Sequence, residues 1–378
     1  MLFDYETLKI IWWLLIGVLL IGFALTSGTD MAVSVLSLRA GRNIKERGAI
    51  LSTIAPHWDG NQVWLITAGG AIFAAWPEIY SAAFSGLYWA MLLLLFTIWL
   101  RPLAFDYRSH IETERWQKGW DIALLVGSLV PMLICGVAFG NLLQGLPFYL
   151  DGDLRWHYEG TFLTALLPLL NPFALLCGLV SILMLLTQGS LWIAMRTVEP
   201  IASRAKSWAP RFAIITLVLF GICGIWAWFF DAPSLIARAP EGSFNLITAK
   251  QVAVIPHGLF ANYMSHPVTM AIPALAVIAL LAGAFNAYRG RIGKAFIANA
   301  LGIACIIATP AAALFPFLMP SVKDPASSLT VWDATSSQLT LTIMMFAVVI
   351  FVPLALGYTI FAYRRMWRRA GPDDASAH

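Results

Sequence analysis

The densest run of side chains capable of chemistry is Ala55-Pro56-His57-Trp58-Asp59-Gly60-Asn61-Gln62-Val63-Trp64. It sets an imidazole, a carboxyl group and two carboxamides close together, a combination able to hold protons and pass them on. An acid withdrawn from water can load and release a proton near neutral pH, so Asp59 is the first candidate carrier. His57 could relay protons to it or hydrogen-bond a loop. The same residues also suit a helix start. Pro56 lacks only an N–H that a first turn does not use, while Asp59 and Asn61 could cap free amides or face the positive end of the helix dipole. Trp58 and Gln62 would support either arrangement.

Three further places carry polar groups beside apolar runs. Arg101-Pro102-Leu103-Ala104-Phe105-Asp106-Tyr107-Arg108 reads either as a surface ion-pair network or as the mouth of a proton path through Asp106. Trp332-Asp333-Ala334-Thr335-Ser336-Ser337-Gln338-Leu339-Thr340 reads as a capping box, with Asp333 and Gln338 as its polar members. Asp30, just past the first apolar run, suits a cap or an ion-pair partner better than a proton carrier. No two histidines pair at i, i+4, and His110, His157, His257, His266 and His378 fall in loops or at the terminus. That pattern offers no haem ligands at depth. Cys135, Cys177, Cys223 and Cys305 sit inside apolar runs with no CxxC, so they read as small packing residues and no metal site is expected. Neither a Walker A motif nor a dinucleotide glycine pattern is present.

The elements that must position these groups follow from composition. The chain has 378 residues, 60% hydrophobic and 12% charged, half the charge of an average soluble domain. Lipid accepts such a surface and water does not. Apolar runs long enough to span a bilayer lie near residues 8–26, 52–76, 79–100, 122–142, 164–187, 212–230, 268–287, 295–318 and 339–361. The reading is an all-α polytopic membrane protein of about nine helices, arranged as two four-helix groups plus one peripheral helix in a single domain. Nineteen of the 24 Lys and Arg fall in alternate loops and the tail, among them Arg39, Arg42, Arg204 and Arg364. The positive-inside rule then puts the N-terminus out and the C-terminus in. The opposite loops carry Asp151, Asp153, Glu159, Asp231 and Glu241, and the longest, about 231–267, is rich in Pro and Gly and reads as an irregular cap. The basic residues form no nucleic-acid patch. The N-terminus has neither a basic leader region nor a small-residue cleavage site, so the first run reads as a retained helix.

Six segments, Ile10–Ala24, Ile54–Trp76, Arg101–Ser109, Gly136–Gly145, Phe315–Ser321 and Leu329–Leu341, resemble subunit II of the cytochrome bd ubiquinol oxidases. The likeness runs in order along essentially the whole chain and is weakest over about 197–266. It fits the cyanide-insensitive branch of that family as well. The resemblance implies a non-haem subunit of a bacterial inner-membrane terminal oxidase, paired with a subunit I that binds two b-type haems, haem d and quinol. The complex would oxidise quinol and reduce O2 to water, drawing protons from the cytoplasm. This subunit would stabilise the haem cluster, contribute proton or oxygen access and, in some members, hold a structural quinone; small single-helix accessory subunits are a further partner the sequence leaves open. Asp59 matches an acid of the family's proton route, with His57 and Trp58 beside it, and Asp106 matches a second. Where the family commonly reads DGFD, this chain reads Ser27-Gly28-Thr29-Asp30, so only the second acid survives. A pure scaffold for subunit I and a secondary transporter are the rival readings.

Overall fold

A computed structural model describes residues 4–151, 155–158, 162–240, 243 and 245–372. Asp153, Glu159, Glu241 and His378 lie outside the described residues. The chain opens with α1 (Tyr5–Leu25), started by Asp4, whose carboxylate accepts from the Thr7 amide. After Thr26 the helix runs on as α2 (Ser27–Ala40), so residues 5–40 form one long apolar element instead of ending at 26. Its small and hydroxylated residues are buried in protein, and Thr29 and Ser34 bond back to carbonyls four residues earlier. A short α3 (Ile44–Ser52) follows.

The second and third apolar runs divide differently from the expectation. α4 (Trp58–Ala75) and α5 (Pro77–Gly86) meet at a bend of 119°, and α6 (Tyr88–Tyr107) follows. The cause is local. Pro77 starts α5 and pushes Trp76 out of the helical region, to φ −135°, ψ 72°. At 18 residues α4 is about 27 Å long, it is apolar enough to span only together with α5, and the first part of the run at 79–100 belongs to α5. Among the described residues, eight helical elements are long and apolar enough to span, or up to nine if the bent pair forms one broken span.

The remaining helices are α7 (Glu114–Gln144), α8 (Phe162–Leu166), α9 (Pro172–Arg196), α10 (Ile201–Ala227), α11 (Leu246–Ala249), α12 (Ala261–Ser265), α13 (Ala271–Tyr288), α14 (Ile292–Leu314) and α15 (Gln338–Arg365). The span expected at 164–187 is α9, displaced toward the C-terminus. Asn171 and Pro172 start it, and it continues through Gln188, Ser190 and Arg196 because protein, not lipid, covers them. α9, α10, α13 and α14 pack as one four-helix group. In the other group α1 packs on α4, while α2 and α6 pack on α7. α2 and α7 both lie against α9 and join the two groups, and α15 touches α1 and α4 at the periphery. The α7–α9 crossing is close because Gly136 and Gly140 face Gly178 and Ala174; a Cβ on Gly136 would stand 2.6 Å from the Gly178 Cα.

One end of the bundle carries the arginine-rich loops and is called the basic end. The other is capped by three antiparallel hairpins, β1–β2 (Phe148–Leu150, Trp156–Tyr158), β3–β4 (Ala232–Ala237, Gln251–Ile255) and β5–β6 (Phe317–Met319, Leu329–Thr330). The segment at 231–267, expected to be irregular, is thus organised by β3–β4. Lys250, at the start of β4, is buried with Asp333 at 3.2 Å, and Arg238 bonds Glu6 at 2.6 Å while lying over the Trp332 ring. Burial penalises both charges of the Lys250–Asp333 pair, lowering the lysine pKa and raising that of the aspartate.

Candidate functional site

Toward the basic end, four helices bring polar side chains into one buried knot. α2 supplies Ser27 and Asp30, the first turn of α4 supplies Asn61 with His57 just before it, α6 supplies Arg101, and α15 supplies Tyr363. Asn61 Nδ2 donates to Asp30 Oδ2 at 2.6 Å and to the Tyr363 hydroxyl at 2.7 Å, and that hydroxyl donates back to Asn61 Oδ1 at 3.1 Å. His57 Nδ1 is 3.9 Å from Asp30 Oδ1. Its ring stacks on Tyr363, with centroids 4.3 Å apart, and meets Trp192 edge-on. Arg101 is fully buried. Its Nη1 reaches Ser27 Oγ at 3.5 Å. Its Nε and Nη2 have no protein acceptor among the described residues.

Asp59 stands apart from this knot. It is exposed in the first turn of α4, with no side-chain cap on that helix start. The large side chains exposed farther along the same helix are apolar, Val63, Ile66 and Phe73, with Thr67 and Gly70 exposed between them. Trp58 stacks on Phe105 of α6, with centroids 4.9 Å apart and planes at 13°. Asp106 follows Phe105 as Asp59 follows Trp58, and it is exposed too. The eight residues from Arg101 to Arg108 form no single ion-pair network. Arg101 points into the bundle and Arg108 bonds Asp121 at 2.7 Å. Gln62 is half-buried, and its Nε2 has no partner among the described residues. Asp333 and Gln338 lie at the capped end, about 37 Å along α15 from Tyr363. There Asp333 accepts from Thr330 and Ser337 caps α15.

Two groups that matter here escape a reading of the sequence. Tyr363 sits in an aromatic and basic run that looks like an interfacial anchor. Asp121 is fully buried between Arg47 and Arg108 at the basic end, at 3.0 and 2.7 Å. Its only sequence signal is an acid within the first turns of an apolar helix. A neighbouring brace joins Glu46 to Arg204 at 2.8 Å, and this contact holds the glutamate pKa below its usual 4.5.

A haem would need a His or Met at the wall of a space of porphyrin size. The cavity of about 600 Å3 beside the basic end of α15 is lined by Thr359, Ile360, Tyr363, Arg364 and Trp367, and one of about 120 Å3 near the capped end includes neither residue type. Among the described residues no three His, Cys, Asp or Glu side chains are grouped to hold a metal ion.

Eight, or up to nine, apolar spans among the described residues, a buried polar knot and exposed apolar helix faces define a polytopic membrane protein. A sequence model of the family described as cytochrome bd terminal oxidase subunit II matches residues 8–366, and the chain belongs to that family. It is 48% identical to "Cytochrome bd-I ubiquinol oxidase subunit 2" of Escherichia coli strain K12, with 98% of this chain and 97% of that one covered. It is 46% identical to "Probable cytochrome oxidase subunit 2" of Haemophilus influenzae, with 97% and 96% covered. A chain of the bd oxidase structure from Geobacillus thermodenitrificans superposes with a TM-score of 0.72 at 14% identity, covering 95% of this chain and 98% of that one, so the fold is shared as well. The chain is thus a multi-pass subunit of a bacterial inner-membrane terminal oxidase with a partner subunit I.

Proposed function

We propose that this subunit delivers protons to a quinol-oxidising, O2-reducing partner from the basic end, which faces the cytoplasm. In this reading subunit I holds the two b-type haems, haem d and the quinol site, and the present chain holds no haem; a structural quinone and single-helix accessory subunits are additions it can accommodate. The observation that carries the reading is the placement of Asp59. A carboxylate on an apolar helix face is costly against lipid and acceptable against a protein partner or water. Asp106, beyond the Trp58–Phe105 stack, supplies a second exposed acid at the same end. His57, Asn61, Asp30, Arg101 and Tyr363 then act as a fixed clamp that sets the first turn of α4. Asp59→Asn is expected to slow O2 reduction while every haem still assembles. Unchanged turnover would leave the scaffold reading, and lost haems would assign Asp59 to assembly.

A further inference from the structure

Two of the four cysteines meet across a helix crossing. Cys177, in the second turn of α9, and Cys223, in the last turns of α10, place their sulfurs 4.0 Å apart. Both are partly exposed, as is Cys135, whereas Cys305 is buried. α9 and α10 are consecutive in the chain, joined at the basic end by a turn around Pro200, and the sulfur pair lies at the other, capped end of that helical hairpin. Phe173, Trp226 and Phe230 pack edge-on around the same end of the two helices, holding the backbones at a fixed separation. The pair is free thiol in this structure and in van der Waals contact. Closing it to a bond needs rotation of the two side chains about χ1.

We propose that Cys177 and Cys223 are a modification site: a dithiol that closes to an intramolecular disulfide and staples α9 to α10 at the capped end. The oxidant is an organic disulfide acting by thiol–disulfide exchange. One cysteine, as thiolate, attacks the reagent's S–S bond, forms a mixed disulfide and expels one reagent thiolate. The second cysteine, also as thiolate, attacks the protein sulfur of that mixed disulfide and expels the other reagent thiolate. Two protons pass from the cysteines to the departing thiolates. The two cysteines are oxidised and the reagent is reduced to two thiols. Cys135 and Cys305 have no cysteine sulfur in contact and take no part.

The test uses the assembled oxidase in membranes, treated with dithiodipyridine, then denatured and alkylated with a maleimide before intact-mass and peptide mapping. The expected product lacks two hydrogens, retains no pyridyl group on Cys177 or Cys223, and yields one crosslinked peptide pair that separates on reduction. In Cys177→Ser the crosslink is lost, and Cys223 keeps its pyridyl group or its maleimide. Four alkylated cysteines in the treated wild type would overturn the proposal. So would separate pyridyl adducts on Cys177 and Cys223, or a crosslink through Cys135 or Cys305. The wild-type readout stands even where the variant fails to assemble.

Discussion

Asn61 holds the knot together, because its one carboxamide serves both Asp30 and Tyr363. Replacing it with leucine leaves a buried carboxylate and a buried phenol without their shared partner. Asn61→Leu is therefore expected to cost about 1–3 kcal/mol, read as a lower melting temperature of the purified complex. Asp59→Asn touches no partner among the described residues and should leave the melt where it is. This contrast was not legible in the sequence. His57 and Asp59 are two positions apart, which on a helix turns the side chains by about 200°. Which of them faces the bundle depends on α2 and α15, whose contributing residues are about thirty positions before and three hundred after. Ser27 sits against Arg101, and Asp30 is the carboxylate of the knot.

Single elements give sharper tests of packing. At the α7–α9 crossing the Gly136 Cα is opposed directly by backbone, so Gly136→Val forces the helices apart and should cost about 1–3 kcal/mol. The expected readout is less assembled oxidase per cell and a lower melting temperature. At the capped end Lys250→Met strands the buried Asp333 carboxylate and should cost about 3–5 kcal/mol, while adding Asp333→Leu restores most of it. Melting of the single and double variants checks both halves. At the basic end Arg204 holds Glu46 below its ordinary value of 4.5. A depressed carboxyl pKa stabilises the fold above the unfolded value, and the gain fades as pH falls through the folded one. The melting temperature should thus fall on acidification below about pH 4.5 by less in Glu46→Gln than in the wild type. The sequence could foresee the bend at Trp76, since a proline follows it. It could not foresee how far α9 runs past Thr187, because hydropathy treats buried Gln188 and Arg196 as exposed.

For the whole molecule, apolar run length made a polytopic helical fold of eight or nine spans legible, because lipid does not tolerate short spans. Large apolar side chains are exposed on several spans, for lipid or for the partner subunit to cover. α15 exposes Ile343, Phe346, Ile350, Leu354 and Phe361, while α4 and α6 expose Ile66, Phe73, Leu95 and Trp99. The chain produced without subunit I should show no haem bands in its visible spectrum, and the full spectrum should return when both are made together. The most direct test of the account is quinol-driven O2 consumption by the Asp59→Asn complex, measured per haem. The account predicts turnover at least about tenfold below wild type, with an unaltered haem spectrum. Turnover equal to wild type at the same haem content would contradict it.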